Sequence, residues 1–116
     1  MENNIKNNLL LDFYGSMLTD KQKEIMRLYY ECDSSFSEIA TELGLTRQAV
    51  YDSVKVSKTL LESFEEKLKC VERYLSNREN IISAKQELEN LSKLNEQDFE
   101  KVKNIQKLLD KVLANQ

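Results

Sequence analysis

The chain has 116 residues and a formal net charge of −3, the size of one domain or of one small module with an extension. Apolar residues make up 41% and charged residues 32%, which is too apolar for simple disorder, and the acidic balance excludes a strongly basic nucleic-acid coat protein. His, Pro and Trp are absent and there are only two Gly. Strands need turn residues that this chain lacks, so the expected fold is all-α.

In chain order, the first helix is predicted over residues 4–14, with Ile5, Leu9 and Phe13 as its apolar positions. Gly15-Ser16 interrupts it. Thr19 with Gln22 spells a capping box for a second helix from about Asp20 to Glu31. Its stripe is Ile25, Leu28 and Tyr29, flanked by Met26 and Tyr30. Ser35 with Glu38 spells another capping box, opening a short helix that Gly44 stops. Thr46 is the N-cap of the next helix, which meets no breaker before about Ser76. Ser76 with Glu79 reads as a fresh start, and Asn95 with Asp98 as a weaker one before a last helix over 96–114.

Three apolar stripes pattern the second half. They are Leu61, Phe64, Leu68, Val71 and Leu75, then Ile81, Ala84, Leu88 and Leu91, then Val102, Ile105, Leu109 and Val112. Such stripes must be buried, against one another in an antiparallel bundle or against a second copy of the chain. The spacing serves both. The expected organisation is therefore a helix-turn-helix module over 1–60 and a helical extension over 61–116, packed on the module or on a second chain.

The informative segment runs from Ser37 to Val54 and has the pattern of a helix-turn-helix. Ala40 is small enough for close helix approach, and Ile39 and Leu43 face inward. Gly44 allows the turn at positive φ without a Cβ penalty. Leu45 fills the space under the turn, and Val50 and Val54 form the buried side of the second helix. Its opposite side carries Arg47, Gln48, Tyr51, Asp52, Lys55 and Lys58. Together with Thr46 these are the candidate nucleic-acid-binding residues: Arg and Gln can pair with base edges, and Lys or Arg can neutralise phosphate. Residues 1–45 hold four basic and eight acidic groups, whereas 46–116 hold thirteen basic and twelve acidic. Contact with nucleic acid must come from this local patch. Two or three phosphate contacts give weak, salt-sensitive affinity, so binding to duplex DNA calls for a homodimer or a second partner.

Further motifs carry a resemblance. Leu18-Thr19-Asp20-Lys21-Gln22, the Leu28-Tyr29-Tyr30 helix and Glu38-Ile39-Ala40 resemble region 4 of bacterial sigma factors. Together with Asp12-Phe13-Tyr14, the run from Thr46 to Asp52, and Leu61-Glu62 with Phe64-Glu65 and Lys67-Leu68, the chain resembles the YlxM (UPF0122) family of Gram-positive bacteria. The likeness is good over about residues 9–70 and rests on length and character beyond. It implies a small, cytoplasmic, all-helical protein with a sigma-region-4-like helix-turn-helix. It also implies a part in, or regulation of, the signal recognition particle pathway, because the family is usually encoded beside that particle's GTPase. By position, Thr46, Arg47, Gln48, Tyr51, Asp52 and Lys55 match the reading helix. The other regions with which a sigma factor binds polymerase and melts promoters are absent, which argues against sigma activity.

The leading expectation is a nucleic-acid-binding accessory of the signal recognition particle, contacting its RNA or its GTPase. The alternatives are a DNA-binding transcription regulator and a helical protein–protein adaptor whose working surface is the C-terminal stripes. No enzyme is expected, because there is no His, no Gly-rich phosphate loop and no nucleophile motif. Glu65-Glu66 and Glu87 with Glu89 read as solvated carboxylates. Neither a cofactor nor a transition-metal site is expected. No secretory signal and no apolar run of membrane-spanning length occur, so the cytoplasm is the expected setting, with Cys32 and Cys70 as unpaired thiols.

Overall fold

A computed structural model describes residues 2–94 and 98–114 of the chain. Within them lie six α-helices and no strand: α1 (Glu2–Tyr14), α2 (Asp20–Tyr30), α3 (Phe36–Leu43), α4 (Arg47–Leu68), α5 (Cys70–Leu94) and α6 (Phe99–Ala114). A single 3-10 turn, Gly15–Met17, joins α1 to α2. Inter-residue contacts divide the chain into one unit ending at Val71 and another beginning at Glu72.

Local chemistry fixes the starts of three helices in the first unit. Thr19 accepts from the Gln22 N–H at 3.2 Å while the Thr19 N–H donates to the Gln22 side chain at 3.0 Å. Ser35 and Glu38 repeat this reciprocal arrangement at 3.1 and 3.0 Å. The Thr46 hydroxyl accepts from the Ala49 N–H at 3.1 Å. Each cap satisfies donors that the first turn leaves without intrahelical partners.

The core of this unit forms where α1, α2 and α3 all pack on α4. It contains Ile25, Met26, Ile39, Val50, Val54 and Leu61, all nearly inaccessible to solvent. Full burial of each large aliphatic side chain is worth about 1.5–3 kcal/mol. In α1 the buried positions are Leu10, Leu11 and Tyr14, whereas Ile5 and Phe13 are exposed and Leu9 is half-buried. The expected Ile5–Leu9–Phe13 stripe is thus corrected by rotation, since the Tyr14 ring, not that of Phe13, fills the core. In α2, Met26 is fully buried and Tyr29 only half-buried, again a rotation of the expected stripe.

The largest departure from expectation is the end of α4. The predicted run to Ser76 is broken at Lys69, which adopts the left-handed conformation at φ 57°. Its N–H donates to the Glu65 carbonyl at 2.9 Å. The first N–H groups of α5 then find tertiary acceptors: Cys70 donates to the Tyr14 hydroxyl at 3.0 Å, and Val71 donates to the Glu65 carboxylate at 3.0 Å. Ser76 lies inside α5, not at a helix start. A capping-box spelling permits a start, but here the helix had already restarted where better acceptors were available.

In the second unit, α5 from Glu72 onward and α6 lie side by side and run in opposite directions. Lys85 pairs with Asp110, and the Gln106 amide donates to the Glu89 carboxylate at 3.0 Å. Val102 and Gln106 are buried in this seam. Ile105, Leu108 and Val112 of α6 and Leu91 of α5 remain exposed, so the expected stripes are only partly covered. The proposed restart at Asn95 and Glu96 falls outside the described residues. No helix is long and apolar enough to cross a membrane among the described residues.

Candidate nucleic-acid interface

The interface is built on the bend between α3 and α4. Gly44 sits at φ 68° and ψ 35°, and its N–H and that of Leu45 both return to the Ala40 carbonyl. This double return closes α3 and turns the chain within three residues. Thr46 is extended at φ −79° and ψ 153°, so α4 begins at once in a new direction. Ile39 and Ala40 of α3 and Val50 and Val54 of α4 are buried beneath the bend, with Leu43 and Leu45 half-buried at its edge. Burial of one side of α4 turns its other side outward.

On that outward side the predicted residues occupy different environments. Thr46 is exposed, and its hydroxyl is committed to capping. Arg47 is exposed and borders a cleft of about 500 Å³ with Phe36, Gln48 and Tyr51. The Gln48 amide nitrogen donates to the Asp52 carboxylate one turn later at 3.0 Å. Tyr51 is 45% exposed, with the Phe36 ring set edge-on to it at 5.7 Å and 83°. Lys55 is exposed and borders a shallow cleft with Asp52, Val56 and Thr59. Lys58 departs from the group. It is half-buried, and its ammonium lies 5.1 Å from the centre of the Tyr29 ring. The structure therefore brings Arg47, Gln48 and Tyr51 around one cleft, sets Asp52 and Lys55 beside it, and directs Lys58 onto α2.

Three aromatic residues were not anticipated here. Phe36 stacks on Tyr29 at 5.3 Å and 18°, and Tyr29 meets Tyr30 at 5.5 Å. Tyr30, Tyr29, Phe36 and Tyr51 thus form a continuous row. Burial, with the neighbouring Tyr29 and Glu62, pushes the Tyr30 phenol up to about 12. At the start of α3, hydrogen bonds from Ser35 hold the Glu38 carboxyl below its ordinary value. Phe36 shares helical spacing with Ile39, Ala40 and Leu43, so spacing alone does not set it apart from core. The available signal was its place directly after an N-cap, at the open end of the helix.

A four-helix core in which a short helix, a left-handed glycine bend and a second helix with a polar outer side follow one another defines a helix-turn-helix protein. Comparison with known sequences identifies the family. Residues 1–112 match the family described as "Putative helix-turn-helix protein, YlxM / p13 like" (UPF0122), and the chain belongs to that family. UPF0122 proteins of Bacillus cereus (strain AH187), Bacillus anthracis (strain A0248) and Bacillus thuringiensis subsp. konkukian (strain 97-27) are each 39% identical to it over 108 residues. The matched region covers 93% of this chain and 98% of each relative.

Proposed function

We propose that this protein binds nucleic acid through the first turns of α4 and acts as an accessory of the signal recognition particle in the cytoplasm, without catalysing a reaction and without a cofactor. The observation that carries the binding role is the outward placement of Arg47, Gln48, Tyr51 and Lys55 just beyond the Gly44 bend. These side chains can donate to phosphate and pair with base edges. The resemblance to the YlxM family supports the pathway, with the particle's RNA or its GTPase as partner. The sign of the charge supports a limited contact: with Lys58 held over Tyr29, two cations remain for phosphate.

A gel-shift series at two salt concentrations tests this, with particle RNA, duplex DNA of equal length and the purified GTPase as targets. RNA should be retained at low salt and released as salt rises. The Arg47→Ala/Lys55→Ala variant should flatten the dependence of log K on log salt by up to about 2 units, at about 0.7–0.9 for each phosphate no longer neutralised. Failure to bind the RNA at low salt overturns the binding role, and failure to bind both the RNA and the GTPase overturns the pathway as well.

A DNA-binding regulator is the second reading, favoured by the crossed α3 and α4. It requires a homodimer on half-sites about one helical turn apart, and exposed Ile105, Leu108 and Val112 are the apolar side chains available to join two copies. A monomer in sedimentation that shifts no genomic fragment removes it. An adaptor role instead predicts full activity for Arg47→Ala/Lys55→Ala.

A further inference from the structure

We propose that the cleft between Phe36, Arg47, Gln48 and Tyr51 holds a single unpaired nucleobase, so that the protein's target is a looped or single-stranded segment and not a continuous duplex. This deepens the proposed function and rests on it.

The cleft measures about 500 Å³, within the range of sites that enclose small ligands. Its walls supply what an isolated base requires. Tyr51 offers an aromatic ring that is 45% exposed. The ring is braced, because Phe36 contacts it edge-on and is itself stacked on Tyr29. Tyr29 in turn lies beneath the Lys58 ammonium. The platform is therefore tied back into α2 and α4, and little side-chain freedom remains to be lost when a base stacks on it.

Gln48 supplies the polar edge. A carboxylate only accepts, so the hydrogen bond to Asp52 fixes which end of the amide is nitrogen. The amide oxygen and the second N–H are left for a donor–acceptor pair on a base. Asp52, which repels phosphate, thus acts as a positioning residue for Gln48. A second cleft of about 280 Å³ shares Phe36 and Arg47 with the first and extends past Tyr29, Ser35 and Ser37. It gives the sugar and phosphate of the same nucleotide a path beside the Arg47 guanidinium.

The balance of forces favours an unpaired base over a duplex. A chain of net charge −3 that sets Arg47 and Lys55 as the exposed cations beside this cleft gains little from the dense phosphates of a double helix. Stacking needs no net charge, and one base on one aromatic ring is worth about 5- to 150-fold in affinity. In a duplex the faces of the bases are already stacked on each other and cannot enter the cleft.

The test is fluorescence anisotropy of the full chain with a labelled mixed-sequence strand, made as RNA, as DNA, and as the same DNA annealed to its complement. Single strands should bind more tightly than the duplex, and the tighter of RNA and DNA names the source of the base. Tyr51→Ala should weaken single-strand binding about tenfold or more, a larger factor than its effect on duplex binding. Tyr51→Phe, which keeps the ring, should restore wild-type affinity. An unchanged thermal midpoint for both variants confirms that the fold survives. A 2-aminopurine placed in the strand should be quenched by wild type and not by Tyr51→Ala. Equal single-strand affinity for wild type and Tyr51→Ala, or a duplex bound as tightly as the single strand, overturns this site while the proposed function stands. Absence of binding to every nucleic acid, including particle RNA, overturns both.

Discussion

Tyr14 and Glu65 lie fifty-one positions apart in the chain, yet the Tyr14 hydroxyl donates to the Glu65 carboxylate at 2.6 Å. The pair is a shared cap. The same hydroxyl accepts from the Cys70 N–H, the same carboxylate oxygen accepts from the Val71 N–H, and the Glu65 carbonyl accepts from Lys69. One residue of α1 and one of α4 thereby satisfy the backbone at the break between α4 and α5.

Tyr14→Phe keeps the ring and removes the hydroxyl. It removes the hydroxyl that accepts from the Cys70 N–H and takes one donor from the Glu65 carboxylate, which keeps the Val71 N–H, and should cost about 1–3 kcal/mol. Urea unfolding followed by circular dichroism measures this. In a double-mutant cycle with Glu65→Gln, additive losses would show that the two side chains do not act as one cap.

Alkaline pH should also unfold the first unit. Burial and the Glu65 hydrogen bond raise the Tyr14 phenol above its ordinary value, and burial raises Tyr30 to about 12. A raised folded pKa means that the folded chain holds the proton more tightly. The resulting stability is complete below the unfolded value near 10 and is lost as pH rises through the folded values. Stability should therefore decline above pH 10, and Tyr30→Phe should make that decline shallower in pH-dependent urea melts. An unchanged slope would refute the assignment.

Ser57 is fully buried on α4, and its hydroxyl oxygen has no hydrogen-bond partner among the described residues. Ser57→Ala removes a desolvated polar atom that gains nothing in return. The variant should match or exceed wild type, by up to about 1–3 kcal/mol, in thermal or urea unfolding. A clear loss of stability would mean that the hydroxyl is satisfied in solution.

Gly44→Ala tests the bend. A Cβ at this position meets no atom within 4 Å, so the substitution has room, but φ of 68° lies in the left-handed region. The cost is purely conformational, about 1–2 kcal/mol. Gly44→Asn should cost less than Gly44→Ala, since Asn tolerates this region better. Equal costs in chemical denaturation would point to crowding instead of backbone conformation.

The features legible in the sequence are those that neighbouring residues determine. Thr19, Ser35 and Thr46 announced helix starts because an N-cap acts on donors two or three positions away. Gly44 announced the bend because only glycine enters the left-handed region without cost. Arg47, Gln48 and Tyr51 followed from helical spacing once Val50 and Val54 were assigned to the core. The break at Lys69 was hidden, since a lysine at positive φ carries no signal and its partners come from Tyr14 and Glu65. Phe36 was hidden for a different reason: its spacing fits the core, and only the fold shows it bridging Tyr29 and Tyr51.

The burial of Leu61 and Val71 with the helices that precede them bears on how the gene should be dissected. A fragment stopped after residue 60 would sever α4 and strand Tyr14 beside a missing neighbour, so it should be degraded or recovered as aggregate. A fragment stopped a few codons after Val71 would keep that neighbourhood whole and give a minimal piece suited to crystallisation or NMR.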